Sequence, residues 1–315
     1  MTPILFALPG NEAIAQSLSA SLGAKLGVFE TRQFPDGESY IRVHSAVDDR
    51  PVFLVCTLDR PNDKIMPLIL LAETLRDLGA GAVRLICPYL AYMRQDKRFQ
   101  SGEGITSRYF ARLIGAAFDG LVTVDPHLHR YASLSEVYSI PATSLHAAPL
   151  VSAWIKEHIK NPVLIGPDSE SEQWVSAVAK AAGAPGIVLE KHRRGDRDVD
   201  VSVPDVDRWS NCTPVLVDDI ISTARTMIET VGHLKRAGMR SPVCIGVHGV
   251  FADNAYGELQ AIGVEKIVTC NTIPHLSNAI NVTELLVDGI RTFGDDKERK
   301  GHIAGGCVPP DNADN

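Results

Sequence analysis

Short apolar runs alternate with amphipathic segments along most of the chain. Runs rich in Val, Ile and Leu have the length of buried strands, and the segments between them carry apolar residues at helical spacing. In the first half, the strand candidates are residues 4–8, 28–30, 40–43, 52–55, 83–87 and 120–124, and the helix candidates are about 12–22, 62–78 and 106–117. This alternation predicts an α/β fold, with a parallel sheet covered by helices on both faces.

The second half repeats the pattern. Helix candidates lie near residues 149–158 and 172–182, and strand candidates lie at 162–166, 186–189, 214–217, 242–250 and 266–270. We therefore expect two domains, residues 1–146 and residues 147–293, joined near His146. From Gly294 onward, charged residues, Gly and Pro predominate, so residues 294–315 are predicted to form a disordered tail.

One stretch, residues 214–227, organises the second half. A short apolar strand stops at Asp218 and Asp219, and a turn of small hydroxyl residues leads into an amphipathic helix for which Ser222 or Thr223 is the predicted N-cap. The turn and the positive end of the helix can hold a phosphate. The two carboxylates can accept hydrogen bonds from vicinal hydroxyls. The stretch thus favours a site for a phosphorylated sugar, and the alternative is an ordinary polar loop with a helix cap.

Composition narrows the possible classes of function. The net charge is −7, which argues against a dedicated nucleic-acid binder but leaves room for a local site that binds small anions. No apolar run has membrane-spanning length, and the first residues lack the basic region of a signal peptide. The six cysteines are scattered without metal-type spacing. These features predict a cytoplasmic protein that binds neither nucleic acid nor a membrane.

A second polar segment follows the strand at residues 83–87. Three cations lie within five residues, Arg94 to Arg98, beside aromatic residues. This pattern suits the phosphates and base of a nucleotide, and the alternative is a solvated charged loop. Residues 92–98, Tyr-Met-Arg-Gln-Asp-Lys-Arg, resemble a signature of the 5-phosphoribosyl-1-pyrophosphate (PRPP) synthetase family, and residues 214–227 resemble the PRPP motif. Further segments resemble the family's motifs in the same order, namely residues 34–38, 62–63, 124–127, 166–168, 191–193 and 271–274.

The resemblance covers about residues 5 to 290 and implies two tandem phosphoribosyltransferase-like domains. It also implies transfer of the diphosphoryl group of ATP to ribose 5-phosphate, with Mg²⁺, in a homo-oligomer of at least two chains. The implied ATP contacts are Phe34, Asp36, Glu38, Arg94, Gln95, Asp96, Lys97 and His127. The implied ribose-5-phosphate contacts are Asp168, Asp218, Asp219, Ser222, Thr223, Ala224, Arg225 and Thr226.

The remaining implied roles concern the metal and the transferring phosphates. His127 and Asp168 are the implied metal ligands, and Lys191 and Arg193 are the implied catalytic cations. His129 is interpreted as a packing or surface residue. The resemblance further implies that Phe34, Asp36 and Glu38 contribute to the site of a neighbouring subunit.

The chain departs from the family's phosphate loop at Ala224 and Arg225, where Gly-Gly is usual. Arg225 can replace backbone donors with a bidentate cation, which leaves an active enzyme. Alternatively, the loop is damaged, and the chain is a non-catalytic partner of a true synthetase. A third hypothesis, a phosphoribosyltransferase, gives no purpose to Arg94 and its neighbours or to the pair Lys191 and Arg193. We favour the active synthetase because the other implied residues remain.

Overall fold

The computed structural model of the protein describes residues 2–166, 172–188, 190–194, 198–202 and 206–303. At residues 172–173, 188, 190–194, 198–202, 206–207 and 294–303 the description covers the backbone alone. Asp168 therefore lies outside the described residues, and Lys191 and Arg193 are described by their backbone.

The first half forms a parallel sheet with helices on both faces and a separate hairpin. Its elements are β1 (Ile4–Ala7), α1 (Glu12–Leu22), β2 (Lys25–Leu26), β3 (Phe29–Gln33), β4 (Ser39–Val43), β5 (Pro51–Val55), α2 (Asn62–Asp77), β6 (Ala82–Cys87), α3 (Thr106–Ala117), β7 (Leu121–Val124) and β8 (Ala142–Leu145). The strand order is β2-β1-β5-β6-β7-β8. The antiparallel pair β3 and β4 stands outside this sheet.

The second half repeats this topology element by element. After α4 (Ala148–His158) come β9 (Pro162–Gly166), α5 (Glu172–Ala182), β10 (Gly186–Val188), β11 (Glu190–Arg194), β12 (Asp198–Ser202), β13 (Thr213–Ile221), α6 (Arg225–Arg236), β14 (Val243–Gly249), α7 (Ala255–Ala261), β15 (Lys266–Cys270), β16 (Asn278–Ile280) and α8 (Thr283–Ile303). The order β10-β9-β13-β14-β15-β16 matches that of the first sheet, and the hairpin of β11 and β12 again lies outside it. The predicted α/β fold with two tandem parallel-sheet domains is confirmed.

Alternate residues of each strand face opposite helical layers, as the pleat requires. In β1, Leu5 belongs to the core between the two sheets, whereas Ile4 and Phe6 belong to the core under α2 and α3. A third core lies between the second sheet and α6 and α7. The layers therefore run helix, sheet, helix, sheet, helix, and both sheets share the apolar layer in the middle.

The helix that follows the last strand of each half packs against the other half. Helix α4 follows β8 but packs on α5 and β16, and α8 follows β16 but packs on α1, β7 and β8. Gly289 on α8 lies so close to the first sheet that an added Cβ would come within 2.8 Å of Val122. Residues 283–293, assigned by sequence to the second domain, therefore pack on the first sheet.

Several elements differ from the sequence prediction. Helix α8 continues to Ile303, into the segment predicted to be disordered, where Glu and Lys favour helix. Strands β8 and β16 were not predicted, because each is short and follows a loop of mixed composition. The hairpin of β11 and β12, at residues 190–194 and 198–202, was not predicted either. Within the described ranges, no helix is both long enough and apolar enough to cross a membrane.

Candidate active site

A cavity of about 1190 Å³ lies where the carboxyl ends of strands from both sheets meet. The first half contributes Arg94, residues 125–132 after β7, and His146 after β8. The second half contributes residues 218–227, which include the end of β13 and the start of α6. Ligands of open parallel sheets bind at these strand ends. The cavity therefore brings Arg94, from the polar segment after β6, together with the sugar-phosphate segment.

The sugar-phosphate segment forms a tight turn between β13 and α6. Strand β13 continues through both acids to Ile221, and Ser222 and Thr223 lie in the turn. Backbone hydrogen bonds from Phe251 to Ile221 (3.0 Å) and from Ala252 to Ser222 (3.1 Å) fix the turn against the end of β14. The turn therefore presents its small hydroxyl residues to the cavity from a rigid base.

The predicted N-cap of this helix is wrong. Ala224, and neither Ser222 nor Thr223, occupies the N-cap position, and no side chain caps α6 among the described residues. The strand runs further than expected, so the hydroxyl residues lie one and two positions ahead of the cap. Among the described residues, no side chain accepts from the first backbone N–H groups of α6. Residues 225–227 line the cavity, where an anion can satisfy these groups.

Ala224 takes the left-handed conformation that glycine would favour, with φ 56° and ψ 9°. This conformation costs an L-residue roughly 1–2 kcal/mol. The loop thus keeps a glycine-type turn despite its departure from the Gly-Gly pattern. Arg225 follows as the first residue of α6, exposed at the cavity wall. Arg225 therefore places a cation at the positive end of the helix, next to a turn of glycine-type conformation.

His127 and Asp219 connect the two halves of the site. The His127 Nδ1 atom lies 2.8 Å from Asp219 Oδ2, and about three quarters or more of each side chain is buried. His129 also belongs to this cluster, since its ring lies 3.8 Å from that of His127 between centroids. One ligand atom from each of His127, His129 and Asp219 can be chosen so that all lie within 4.8 Å of one another. The cluster can therefore hold a divalent cation.

The Asp219 carboxyl group stays ionised in this setting. Burial by itself would raise its pKa, but the hydrogen bond and charge of His127 lower the pKa well below its usual range. The hydrogen bond with Asp218 and the electrostatic effect of His248 lower it further. The backbone N–H of Asp219 also donates to the Asp218 carboxylate at 2.9 Å. A carboxylate that is fixed and charged across the neutral pH range suits a role as metal ligand.

In the predicted nucleotide-binding segment, residues 94–98, Arg94 and Asp96 have different surroundings. Arg94 lines the cavity. The Asp96 carboxylate instead receives two hydrogen bonds from Arg130, at 2.8 and 3.0 Å, and its side chain is 1% exposed. Lys97 lies over the ring of Phe99 at 5.1 Å. Asp96 thus positions Arg130, which does line the cavity, and the predicted ATP contacts of Gln95, Asp96 and Lys97 stay predictions.

The predicted contacts on the first hairpin do not line this cavity, and the predicted catalytic cations are described by their backbone alone. Phe34, Asp36 and Glu38 lie in the turn of the exposed hairpin of β3 and β4, where Arg32 lies over the Phe34 ring at 4.7 Å. Lys191 and Arg193 lie on β11.

The sequence interpretation missed His129 and Arg130. Two histidines separated by one residue lie on the same side of an extended chain. That spacing is a signal for a pair of metal ligands, but His129 was interpreted as a packing or surface residue. Arg130 carried no recognisable signal, because its partner Asp96 is distant in sequence and was itself interpreted as a ligand contact.

Comparisons with known proteins agree with this geometry. Residues 3–117 match the model of the N-terminal domain of ribose phosphate pyrophosphokinase, and residues 133–285 match the phosphoribosyl transferase domain. The chain belongs to the ribose-phosphate pyrophosphokinase family. Ribose-phosphate pyrophosphokinase of Methanothermobacter thermautotrophicus is 34% identical over 279 residues, with 88% of this chain and 96% of the relative covered. The corresponding protein of Saccharolobus solfataricus is 34% identical over 266 residues, with 84% and 90% covered.

A solved structure supports the same assignment. Phosphoribosylpyrophosphate synthetase from Mycobacterium smegmatis superposes with a TM-score of 0.81 at 25% identity, covering 94% of this chain and all of that chain. The resemblance to the PRPP synthetase family that the motifs indicated is therefore confirmed, and it extends over both domains of this family member.

The ion pair of Asp96 and Arg130 gives a prediction about stability. We expect Arg130→Met to lower the free energy of unfolding by about 2–3 kcal/mol, because it leaves a buried carboxylate without its partner. Asp96→Asn combined with Arg130→Met should recover about half of that loss. Urea unfolding measures both variants. Arg291→Met, in an exposed pair with Asp288, is the control and should cost about 0.5 kcal/mol or less. Equal losses at the two sites would contradict a structural role for Asp96.

Proposed function

We propose that the protein is a ribose-phosphate diphosphokinase, which converts ATP and ribose 5-phosphate to PRPP and AMP. The observation that carries the proposal is the shared cavity, lined by the sugar-phosphate turn of one half and by Arg94 and His127 of the other. Pockets for single ligands usually measure about 300–1,000 Å³. A cavity of about 1190 Å³ has room for two substrates side by side.

The reaction is a displacement at the β-phosphorus of ATP. The 1-hydroxyl oxygen of ribose 5-phosphate forms the new bond to this phosphorus, the bond to the α-phosphate oxygen breaks, and AMP leaves while the hydroxyl proton is lost. Catalysis of this type depends on positioning and on charge neutralisation. The turn at Ser222 to Thr226 and the start of α6 hold the 5-phosphate, with Arg225 as an added donor. Asp218 accepts from the ribose hydroxyls.

The other half of the cavity binds the nucleotide. Arg94 and Arg130 line its wall and neutralise phosphate charge. Lys191 and Arg193 lie on the hairpin that corresponds in topology to β3 and β4. We infer that these two cations close over the transferring phosphates, where charge develops in the transition state.

Mg²⁺ is the proposed cofactor, and the residues present fit a divalent cation. Asp219 supplies a hard carboxylate oxygen, and substrate phosphates and water complete the oxygen set that Mg²⁺ prefers. His127 supplies an imidazole, and Asp168 is a further candidate outside the described residues. Bound there, the cation would neutralise phosphate charge and orient the leaving group. Mn²⁺ accepts the same carboxylate and water ligands as Mg²⁺, so it can serve as a probe of this cluster.

Neither alternative function explains the site as well. A phosphoribosyltransferase leaves residues 3–117 unexplained, since they match the N-terminal domain of ribose phosphate pyrophosphokinase. A non-catalytic partner was suggested by the departure at Ala224, yet Ala224 holds the turn that glycine would form.

Free thiols on the described cysteines support the cytoplasmic location that the composition suggested.

The first prediction from this proposal concerns AMP release. The purified protein with ATP and Mg²⁺ should form AMP when ribose 5-phosphate is present and should form essentially none without it. Arg225→Ala should raise the KM for ribose 5-phosphate by about tenfold or more, the effect expected for a lost charged hydrogen bond. The KM for ATP should stay within about twofold.

The matched control is Arg236→Ala, at the opposite end of α6, where the guanidinium contacts His233. It should leave both KM values unchanged. If no AMP forms with ribose 5-phosphate, the assignment as a diphosphokinase is wrong. If Arg225→Ala changes neither KM value, Arg225 does not contact the sugar phosphate.

A second prediction concerns the metal cluster. His129→Gln should weaken Mn²⁺ binding by about tenfold, because one of two nitrogen ligands is lost. Mn²⁺ binding is measured directly from the electron paramagnetic resonance signal of the free ion, without substrate turnover. His158→Gln is the control, since His158 is exposed at the end of α4 and does not line the cavity. Equal Mn²⁺ affinity in the His129 variant and the unchanged protein would exclude His129 as a ligand.

We further propose a homo-oligomer in which Phe34, Asp36 and Glu38 serve a neighbour's site. Their exposed position on the hairpin of β3 and β4, away from the cavity of their own chain, supports this arrangement. Phe34→Ala and His127→Ala should each abolish most activity, and co-expression of the two variant chains should restore part of it. Each mixed pair then contains one intact site.

The control for this experiment pairs His127→Ala with Asp219→Ala. Both residues belong to the same cavity, so co-expression should restore nothing. The shared hairpin is ruled out if the Phe34→Ala and His127→Ala mixture is no more active than either variant alone.

A further inference from the structure

A line of buried polar side chains connects the two sheets beneath the cavity. Thr57 lies just after β5, and its backbone N–H donates a hydrogen bond to the Asn11 side-chain oxygen at 2.8 Å. Its hydroxyl donates to the Thr272 carbonyl at 2.6 Å. The Thr272 hydroxyl in turn lies 2.9 Å from Nδ1 of His248. All of these residues are at most 2% exposed. Polar groups this deeply buried are costly unless each has a specific partner.

His248 lies at the end of this line and contacts the first domain. It belongs to β14 and is 1% exposed. Its Nε2 atom lies 3.1 Å from the Val124 carbonyl and 3.3 Å from the Asp125 carbonyl, at the end of β7. Burial lowers the pKa of His248, against the opposing charges of Asp125 and Asp219. Because Nε2 faces two carbonyl oxygens, it carries a proton and donates to them. Nδ1 contacts the Thr272 hydroxyl, which also lies 3.0 Å from the Val247 carbonyl.

Asp125 is held in an unusual conformation from both sides. Its φ of 33° lies in the region that L-residues rarely adopt. The carboxylate accepts hydrogen bonds from the Ala147 N–H at 2.8 Å and from His146 Nδ1 at 3.0 Å. The carbonyl faces His248 from the other domain. A strained residue persists when its surroundings fix it, and such residues cluster at functional sites.

The strained residue immediately precedes Pro126 and His127. His127 therefore takes its position from the end of β7, while its partner Asp219 takes its position from β13. Strand β13 pairs with β14 in register, with Ile220 opposite His248. His248 thus links the two sides of the cluster. It lies on β14, which pairs with the strand that carries Asp219, and its ring contacts the backbone just before His127.

We propose that His248 is a positioning residue for His127, holding the end of β7 against the second sheet so that His127 and Asp219 meet at the metal-binding cluster. This inference rests on the proposed function for its kinetic test. A displacement of about 1 Å in a positioned group can cost on the order of 10²-fold in rate. The hydrogen bond from Nε2, rather than the volume of the ring, carries the role.

Two amide substitutions separate the contacts of the ring. In His248→Gln the amide reaches the place of Nε2 and can still donate to the carbonyls of Val124 and Asp125. In His248→Asn the shorter amide reaches only the place of Nδ1. It therefore keeps the Thr272 contact but loses the hydrogen bonds to the carbonyls of Val124 and Asp125. We expect His248→Asn to lower kcat/KM for ATP about tenfold or more, with the KM for ribose 5-phosphate within about twofold. His248→Gln should retain most of the kcat/KM for ATP.

Mn²⁺ affinity, measured without turnover, is the second readout. It should fall in His248→Asn and be largely retained in His248→Gln. This readout tests the positioning role even if the unchanged protein forms no AMP, in which case the proposed function fails separately. Should His248→Asn not fold, His248→Phe, which keeps a ring but no donor, takes its place with the same expected losses.

Thr269→Val is the control for simple destabilisation. The Thr269 hydroxyl is buried in the same domain, 2.8 Å from the Ser277 hydroxyl, and belongs to β15 rather than to the line that reaches Asp125. Thr269→Val should lower the free energy of unfolding. Any effect on the kinetic constants should be equal for ATP and for ribose 5-phosphate, and the Mn²⁺ affinity should stay unchanged. The proposal is overturned if His248→Gln and His248→Asn have the same kcat/KM for ATP and the same Mn²⁺ affinity. It is also overturned if the kinetic losses of His248→Asn are equal for ATP and ribose 5-phosphate, as expected for Thr269→Val.

Discussion

The apolar layer between the two sheets fixes how the halves of the protein face each other. Leu5 and Val124 from the first sheet and Val217 and Val268 from the second sheet belong to one buried cluster. Helices α4 and α8 fill this layer, and each packs on the half that did not precede it in sequence. Separating the halves would expose this apolar surface, so their orientation is held by the hydrophobic effect. The position of the cavity follows from that orientation.

Polar contacts act on top of this apolar constraint, at the edge where the strands end. The layer brings the end of β7 near β13 and β14, and His127, Asp219 and His248 then determine the detailed geometry. Each of these contacts joins residues that lie about a hundred positions apart, or more. Asp219 stays charged because His127 and its neighbours offset the cost of its burial. The chemistry of the site therefore depends on both halves folding against each other.

The departure at Ala224 and Arg225 shows where local sequence rules are insufficient. Glycine is usual at such a turn because it adopts positive φ at low cost. In this protein the strand, the backbone bonds to Phe251 and Ala252, and the packing of α6 hold Ala224 at φ 56°. Tertiary contacts thus overrule the local preference, and the exposed Arg225 side chain gains a place at the cavity.

The sequence by itself determined the α/β class, most strands and helices, and the position of the sugar-phosphate turn, because periodicity and turn chemistry are local properties. It also indicated the family through ordered motifs. The exchange of α4 and α8, the ion pair of Asp96 with Arg130, and the participation of His129 were decided by the tertiary structure. So was the contact of His248 with the end of β7. These features join residues that are distant in the chain, and nothing in a local pattern specifies which distant residue will be the partner.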